Sequence, residues 1–228
     1  MNSKETQMQQ GLNQLRTRIL VMSAAVGIAL DEACAALENG NTGQAVAVVN
    51  GDAAIDAMEN SIDELALSLL VRHQPVAQDL RLVVGALRLV VDLERIGDEA
   101  AGIAGRAALL REPMPEPVSD AIRTLMAHAR ELYRKTEQAF RSGDSEEALE
   151  LARSDAESTR LEVEALQEIM KHFCNIKGAE KSSQVTADVH GILICRSLNR
   201  VCGHAANLAE HVYFIRSGVN IKHQPLPE

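Results

Sequence analysis

Asp92 to Ala104 reads DLERIGDEAAGIA, and the way these residues fall around a helix decides the fold. From Leu80 onward, steps alternating four and three residues pass through Leu80, Val84, Leu87 and Val91. They then reach Glu94, Asp98 and Ala101, all on one side of a helix. A second seam, Leu82, Ala86, Leu89, Leu93, Ile96, Ala100 and Ile103, is apolar throughout, so the helix is expected to pack on two sides. The remaining stripe, Arg81, Gly85, Arg88, Asp92, Arg95, Glu99, Gly102 and Arg106, reads as the solvent face. On that phasing Glu94 and Asp98 stand where apolar side chains are expected. Two carboxylates one turn apart repel by about 0.2–0.5 kcal/mol when exposed, and by more when partly desolvated. A hard cation held by oxygen ligands would offset that cost, as would a partner arginine or a water-filled gap.

Composition widens the reading to the whole chain. Its 228 residues are 46% hydrophobic but only 2% aromatic, with no Trp, which favours helices packed through small and aliphatic side chains. The fold class is all-α. A net charge of −9 argues against a nucleic-acid groove, which needs clustered Lys and Arg. The apolar run Ile19 to Leu30 is too short to span a bilayer. It continues the seam Leu12, Leu15, Ile19, Met22, Val26, Ala29, so it reads as core rather than as a membrane insertion. Arg16 and Arg18 ahead of that run leave a signal peptide as the competing reading. Cys34, Cys174, Cys195 and Cys202 show no CxxC spacing and read as reduced core thiols.

Prolines punctuate the chain at Pro75, at Pro113, Pro115 and Pro117, and at Pro225 and Pro227, with long periodic segments between them. The breaks GNTG (Gly40 to Gly43), RHQP (Arg72 to Pro75) and EPMPEP (Glu112 to Pro117) delimit three helices in residues 1–112. The break SGDS (Ser142 to Ser145) and a looser connection through Gly178 delimit three more in residues 118–217, before a tail of 218–228. A shift of 105 positions (198 − 93) lays LERIGDEAAGIA, Leu93 to Ala104, on LNRVCGHAANLA, Leu198 to Ala209. That register points to an internal duplication, hence two tandem three-helix bundles built from six long helices.

The hairpin of the first bundle brings acids together. Asp56 lies 19 residues before Pro75 and Glu94 lies 19 after it (75 − 56, 94 − 75), while Asp52 and Asp98 are each 23 away (75 − 52, 98 − 75). Straight antiparallel helices would set Asp56 level with Glu94 and Asp52 level with Asp98, a four-carboxylate cluster with Glu59 on the same face. Its natural occupant is a divalent or trivalent cation. The competing reading is a solvated acidic face, since the acidic line runs on to Asp63. In the second half the same register turns Glu94 into Asn199 and Asp98 into Gly203, with Asp155 and Thr159 standing for Asp52 and Asp56. A second cluster is therefore expected to be weak or absent. His204 and His211 map onto Glu99 and Arg106 and read as surface residues. No Glu-x-x-His pair, phosphate-cradling Gly loop, GxSxG or Cys-His spacing is found, so no enzyme is expected.

Taken together, VVNGDAAIDAMENSI (Val48 to Ile62), HQPVAQDLRLVVGAL (His73 to Leu87), DLERIGDEAAGIA and the weaker LNRVCGHAANLAEHV (Leu198 to Val212) resemble the PhoU family of bacterial phosphate-uptake regulators. The resemblance implies two three-helix bundles carrying metal-binding E(D)xxxD motifs. These fall on Asp52 with Asp56 and on Glu94 with Asp98, and the ion would be iron, zinc, manganese or magnesium. The pattern is departed from at Asn199 and Gly203. The family likeness further implies a cytoplasmic homodimer, reaching the inner membrane through its partners. It would couple the ATPase subunit of the phosphate ABC transporter to a PhoR-type sensor histidine kinase and restrain the phosphate-starvation response. A carboxylate-rich metal-storage or oxidase bundle, or a paralogue with other partners, is the alternative.

Overall fold

A computed structural model describes residues 3–110, 114–116, 118–153, 155–176 and 181–222. Its elements are α1 (Ser3–Asn39), α2 (Thr42–His73), α3 (Ala77–Leu109), α4 (Val118–Ser142), α5 (Ser145–Leu151), α6 (Asp155–Asn175) and α7 (Lys181–Ser217), with no strand among the described residues. At 1.5 Å per residue a helix of 37 residues, such as α1, runs for about 55 Å.

Three helix breaks fall at the expected punctuation, and local chemistry explains each of them, whereas Glu112, Pro113 and Pro117 of the proline cluster and the connection through Gly178 lie outside the described residues. Gly40 takes a positive φ of 61°, and Asn41 caps α2 by accepting the Gln44 N–H at 3.1 Å. Gln74 closes α2 in the left-handed region with φ 48°, its N–H reaching the Leu70 carbonyl, and Pro75 prevents continuation. Gly143, at φ 73°, leads to Asp144, whose carboxylate accepts the N–H groups of Glu146 and Glu147. One break was not expected. The second helix of the second half is in two pieces, α5 ending at Leu151 and α6 beginning at Asp155. An Asp in the first helical turn favours a helix start over a helix interior.

Helices α1, α2 and α3 pack on one another, as do α4, α6 and α7, with α5 laid on α4 and α7. The tandem repeat is thus two three-helix layers. They also share a broad junction, because α3 packs on α7 and α1 on α4.

That junction overturns the phasing of α3. The stripe expected to face solvent lies against α7: Gly85 and Asp92 are buried, and Glu99, Gly102 and Arg106 are half-buried. A Cβ at Gly85 would come within 2.3 Å of Ile215 Cγ1, so the glycine is there to let two helices approach. The face expected to be packed is the open one, with Leu80 40% and Val91 39% exposed. The seam Leu82 to Ile103 is core as expected, with Ala86, Leu89, Leu93, Ile96, Ala100 and Ile103 all buried.

By length and composition α1 could cross a membrane, but its seam of Leu12, Leu15, Ile19, Met22, Val26 and Leu30 is buried in the bundle. Cys34, Cys195 and Cys202 are buried thiols, whereas Cys174 is exposed, contrary to the expectation of a core position. Of the tail, residues up to Lys222 are described, with Ile221 buried.

Candidate metal centre

The acids of α2 stand on the side that meets α3, at steps of four, three and four residues through Asp52, Asp56, Glu59 and Asp63. Gly97 on α3 lets the two helices close up beside them. A Cβ there would lie 3.1 Å from Ile55 Cδ1 and 3.7 Å from Asp52 Oδ1. Asp52, Asp56 and Asp98 each bring one carboxylate oxygen to within 4.8 Å of the others. Hard cations hold oxygens at about 2.0–2.6 Å, so oxygens up to about 5 Å apart can share one ion. The donor set and spacing therefore fit such an ion.

The hairpin register is as expected for Asp52, which feels Asp98 above its own neighbour Asp56. Glu94 lies outside the close triad, at the Glu59 end of the cluster. Burial pushes the Glu94 carboxyl up, and the charges of Asp98, Glu59 and Asp56 add to this, partly offset by Arg95. Burial likewise raises Glu59, with Asp63, Asp56 and Asp98 adding to it and Arg95 opposing. Burial and then the charges of Asp98 and Asp56 raise Asp52, and burial alone raises Asp63. All four groups resist ionising chiefly because they are partly desolvated, and for Asp52, Glu59 and Glu94 the neighbouring carboxylates add to this.

The setting differs from the sequence reading in one respect. Glu94 is half-buried and Asp98 is exposed, because α7 packs on the opposite side of α3. The cluster is thus accessible from solvent rather than enclosed in a core.

In the second repeat the counterpart is disarmed. Asp155, Thr159 and Glu162 stand 103 positions after Asp52, Asp56 and Glu59 (155 − 52, 159 − 56, 162 − 59). Asn199 donates from Nδ2 to Glu162 Oε2 at 2.8 Å, so an amide now satisfies the acid that a carboxylate would repel. Thr159 is exposed, and a Cβ at Gly203 would meet nothing within 4 Å. The side chain of Asp155 lies outside the described residues.

The polar constellation that the sequence reading missed lies on the other side of α3. Asp92 Oδ1 is 2.7 Å from His204 Nδ1 and accepts from Asn207 Nδ2 at 3.1 Å, while Oδ2 is 3.0 Å from His211 Nε2. Both histidines were expected at the surface, yet His211 is buried and His204 is half-buried. Burial by itself would push the Asp92 carboxyl up. The hydrogen bonds from His204, His211 and Asn207, with the charge of His211, outweigh it and hold the group well below the usual carboxylate range. A signal was available: Asp92 stands between Val91 and Leu93, and His204, Asn207 and His211 fall at three- and four-residue steps on one face. Arg200 to Glu99 at 2.9 Å and Arg88 over the Phe214 ring at 5.3 Å extend the same polar seam between the repeats.

Comparison with known proteins agrees with this architecture. The family model described as the PhoU domain matches twice, over residues 19–107 and 122–212. The chain is 33% identical over 216 residues to the phosphate-specific transport system accessory protein PhoU homolog of Pseudomonas putida, covering 94% of this chain and 82% of that one. The crystal structure of PhoU from Pseudomonas aeruginosa superposes with a TM-score of 0.85 at 32% identity, covering 92% of this chain and 99% of that one. The phosphate transport system regulatory protein PhoU from Streptococcus pneumoniae shares the fold, with a TM-score of 0.84 at 21% identity over 94% of this chain and 99% of that one.

Proposed function

This chain belongs to the PhoU family, and we propose that it serves a phosphate-specific transport system as a non-catalytic accessory protein. In this reading it couples the ATPase subunit of the phosphate ABC transporter to a PhoR-type sensor histidine kinase. It restrains both uptake and the phosphate-starvation response when phosphate is plentiful. It works as a homodimer in the cytoplasm and meets the inner membrane through those partners. The strongest support is the relation of both halves, in series, to relatives named for that accessory role. Long helices welded at a shared seam suit a protein whose output is which partner it holds.

Asp52, Asp56 and Asp98 hold a hard cation in this reading, with Glu94 and Glu59 at its edge. Bound there, the ion supplies charge neutralisation and a bridge between α2 and α3. Three carboxylates and no histidine suit magnesium, manganese or ferric iron better than zinc, which takes nitrogen and sulfur more readily. The residues themselves position the donors, and Gly97 sets how closely the two helices can approach.

Deleting the gene in its native host and following a phosphate-regulated reporter in phosphate-rich medium tests the regulatory reading. Derepression is expected, and an unchanged reporter would overturn it. Retention of the transporter ATPase and the kinase on the immobilised chain tests the partners, and failure of both to bind would favour a metal-handling role instead.

A further inference from the structure

The chain carries nine net negative charges, yet one corner of the molecule is built from guanidinium groups. A cavity of about 180 Å³ lies where α1, α3, α4 and α7 meet. Its lining includes Gln9, Asn13 and Arg16 of α1, Asp79 of α3, Phe140 of α4 and Arg216 of α7. The side chain of Arg16 makes one hydrogen bond, to the Arg141 carbonyl at 3.3 Å. Arg216 is exposed and lies against Gly143, where a Cβ would come within 2.9 Å of its Cζ. Arg81, outside the cavity lining, packs beside a second turn at the end of α7, with its Cδ and Nη1 3.3 Å from a Cβ built on Gly218, and its Nε is buried without a hydrogen-bond partner.

Among the described residues none of these three arginines has a carboxylate within 4 Å. Two guanidinium groups with no carboxylate within 4 Å are what an oxyanion needs, and their forks match tetrahedral oxyanions bidentately.

Asp79 sharpens the assignment, because it is the one carboxylate among the lining residues. It would repel a fully deprotonated anion, but it can accept a hydrogen bond from an anion that keeps a proton. We propose that this cavity binds the hydrogen-phosphate group, as free orthophosphate or as the end of a phosphate monoester. Arg16 and Arg216 neutralise the oxyanion, the Gln9 and Asn13 amides donate to it, and Asp79 accepts its P–OH. Sulfate, which has no proton to donate at neutral pH, leaves Asp79 facing an acceptor and is rejected. The inference stands on the cavity and not on the regulatory reading above, so either can fail without the other.

The full chain is titrated calorimetrically with inorganic phosphate, glycerol 3-phosphate and sulfate at matched ionic strength, with melting temperatures recorded in parallel. Saturable binding of inorganic phosphate or the monoester, at least ~10-fold tighter than sulfate, is expected. The tighter of the two phosphate compounds identifies the source. Arg216→Gln should weaken phosphate at least ~10-fold, and Asp79→Asn should erase the preference over sulfate. Arg16→Gln, on a different helix, repeats the first test should the Arg216 variant fail to reach the unliganded wild-type melting temperature and circular dichroism. Equal binding of sulfate and phosphate, phosphate binding untouched by folded Arg216→Gln and Arg16→Gln variants, or no saturable binding of any probe would overturn the proposal.

Discussion

Asp92 shows what one carboxylate can do when it has enough donors. It is buried, but three side chains of α7 point hydrogen-bonding nitrogens at its two oxygens. Hydrogen bonds to a charged group contribute about 1.5–3 kcal/mol each, and removing one partner of a buried polar cluster strands the rest. Asp92→Ala is therefore expected to lower unfolding stability by about 3 kcal/mol, read from urea midpoints at neutral pH. The pH arm has a definite sign. The folded pKa is depressed below its ordinary value of 3.8, so this stabilisation is fully present above pH 4 and is lost as pH falls through the folded value. The wild type should lose more stability than Asp92→Ala between pH 4 and pH 2. Asp52, Glu59, Asp63 and Glu94 run the opposite way, since their folded values are raised above 3.8 or 4.5. Their contribution is fully present below those values and lost as pH rises through the folded ones. Metal-free protein should thus melt higher at pH 4, near those ordinary values, than at pH 7. A divalent cation should remove that difference by stabilising the pH 7 form, and Asp98→Asn should abolish the cation's effect. A melting temperature insensitive to cation in the wild type would count against the metal centre.

At the scale of the element, α3 is packed on three sides and open on one. Seven-residue periodicity located its main seam correctly, Leu82 to Ile103, because one apolar stripe must always find a core. It could not tell which of the two remaining faces met solvent. Stripes carrying Arg and Glu look exposed, yet long arginines can lie along a junction with their heads at its edge, as Arg88 does over Phe214. Gly85 in that stripe is the sign of a close helix approach. The paired acids and their hairpin register were legible because two helices around Pro75 are geometrically constrained. The clamp on Asp92 was not, because its donors come from a helix more than a hundred residues later, and no local pattern encodes which repeat face docks on which. Gly85→Ala tests this account. Its Cβ would sit 2.3 Å from Ile215 Cγ1 and 2.6 Å from Cδ1, so a loss of about 1–3 kcal/mol is expected from overpacking. Ile215→Ala empties that space at a cost of its own, and the double variant should be more stable than the sum of the two losses implies. Strict additivity in that cycle would show that α3 and α7 do not touch there.

The whole molecule is less divisible than its duplicated sequence implies. A boundary at the proline cluster between residues 112 and 118 suggests two bundles that could fold alone. However, the buried apolar residues form one connected cluster, running from Leu12 of α1 through Ile96 of α3 to Ile215 of α7. The junction also contains the Asp92 clamp and the buried Tyr133, whose hydroxyl donates to the Ser23 carbonyl at 2.7 Å between α4 and α1. A junction that carries both apolar core and satisfied polar groups makes unfolding one half costly for the other, since the surviving half would expose apolar surface and strand Asp92 or its histidines. The full chain should therefore unfold in a single calorimetric transition with equal calorimetric and van't Hoff enthalpies. A fragment of residues 1–110 should lack a comparably sharp transition, because the α3 face around Gly85 and Asp92 would have lost α7. The same continuity gives α3 two tasks, with the acidic cluster on its open side and the second repeat on the other. Two resolved transitions in the full chain, the first matching the isolated fragment, would show instead that each repeat stands by itself and that nothing occurring at the acids is felt across the junction.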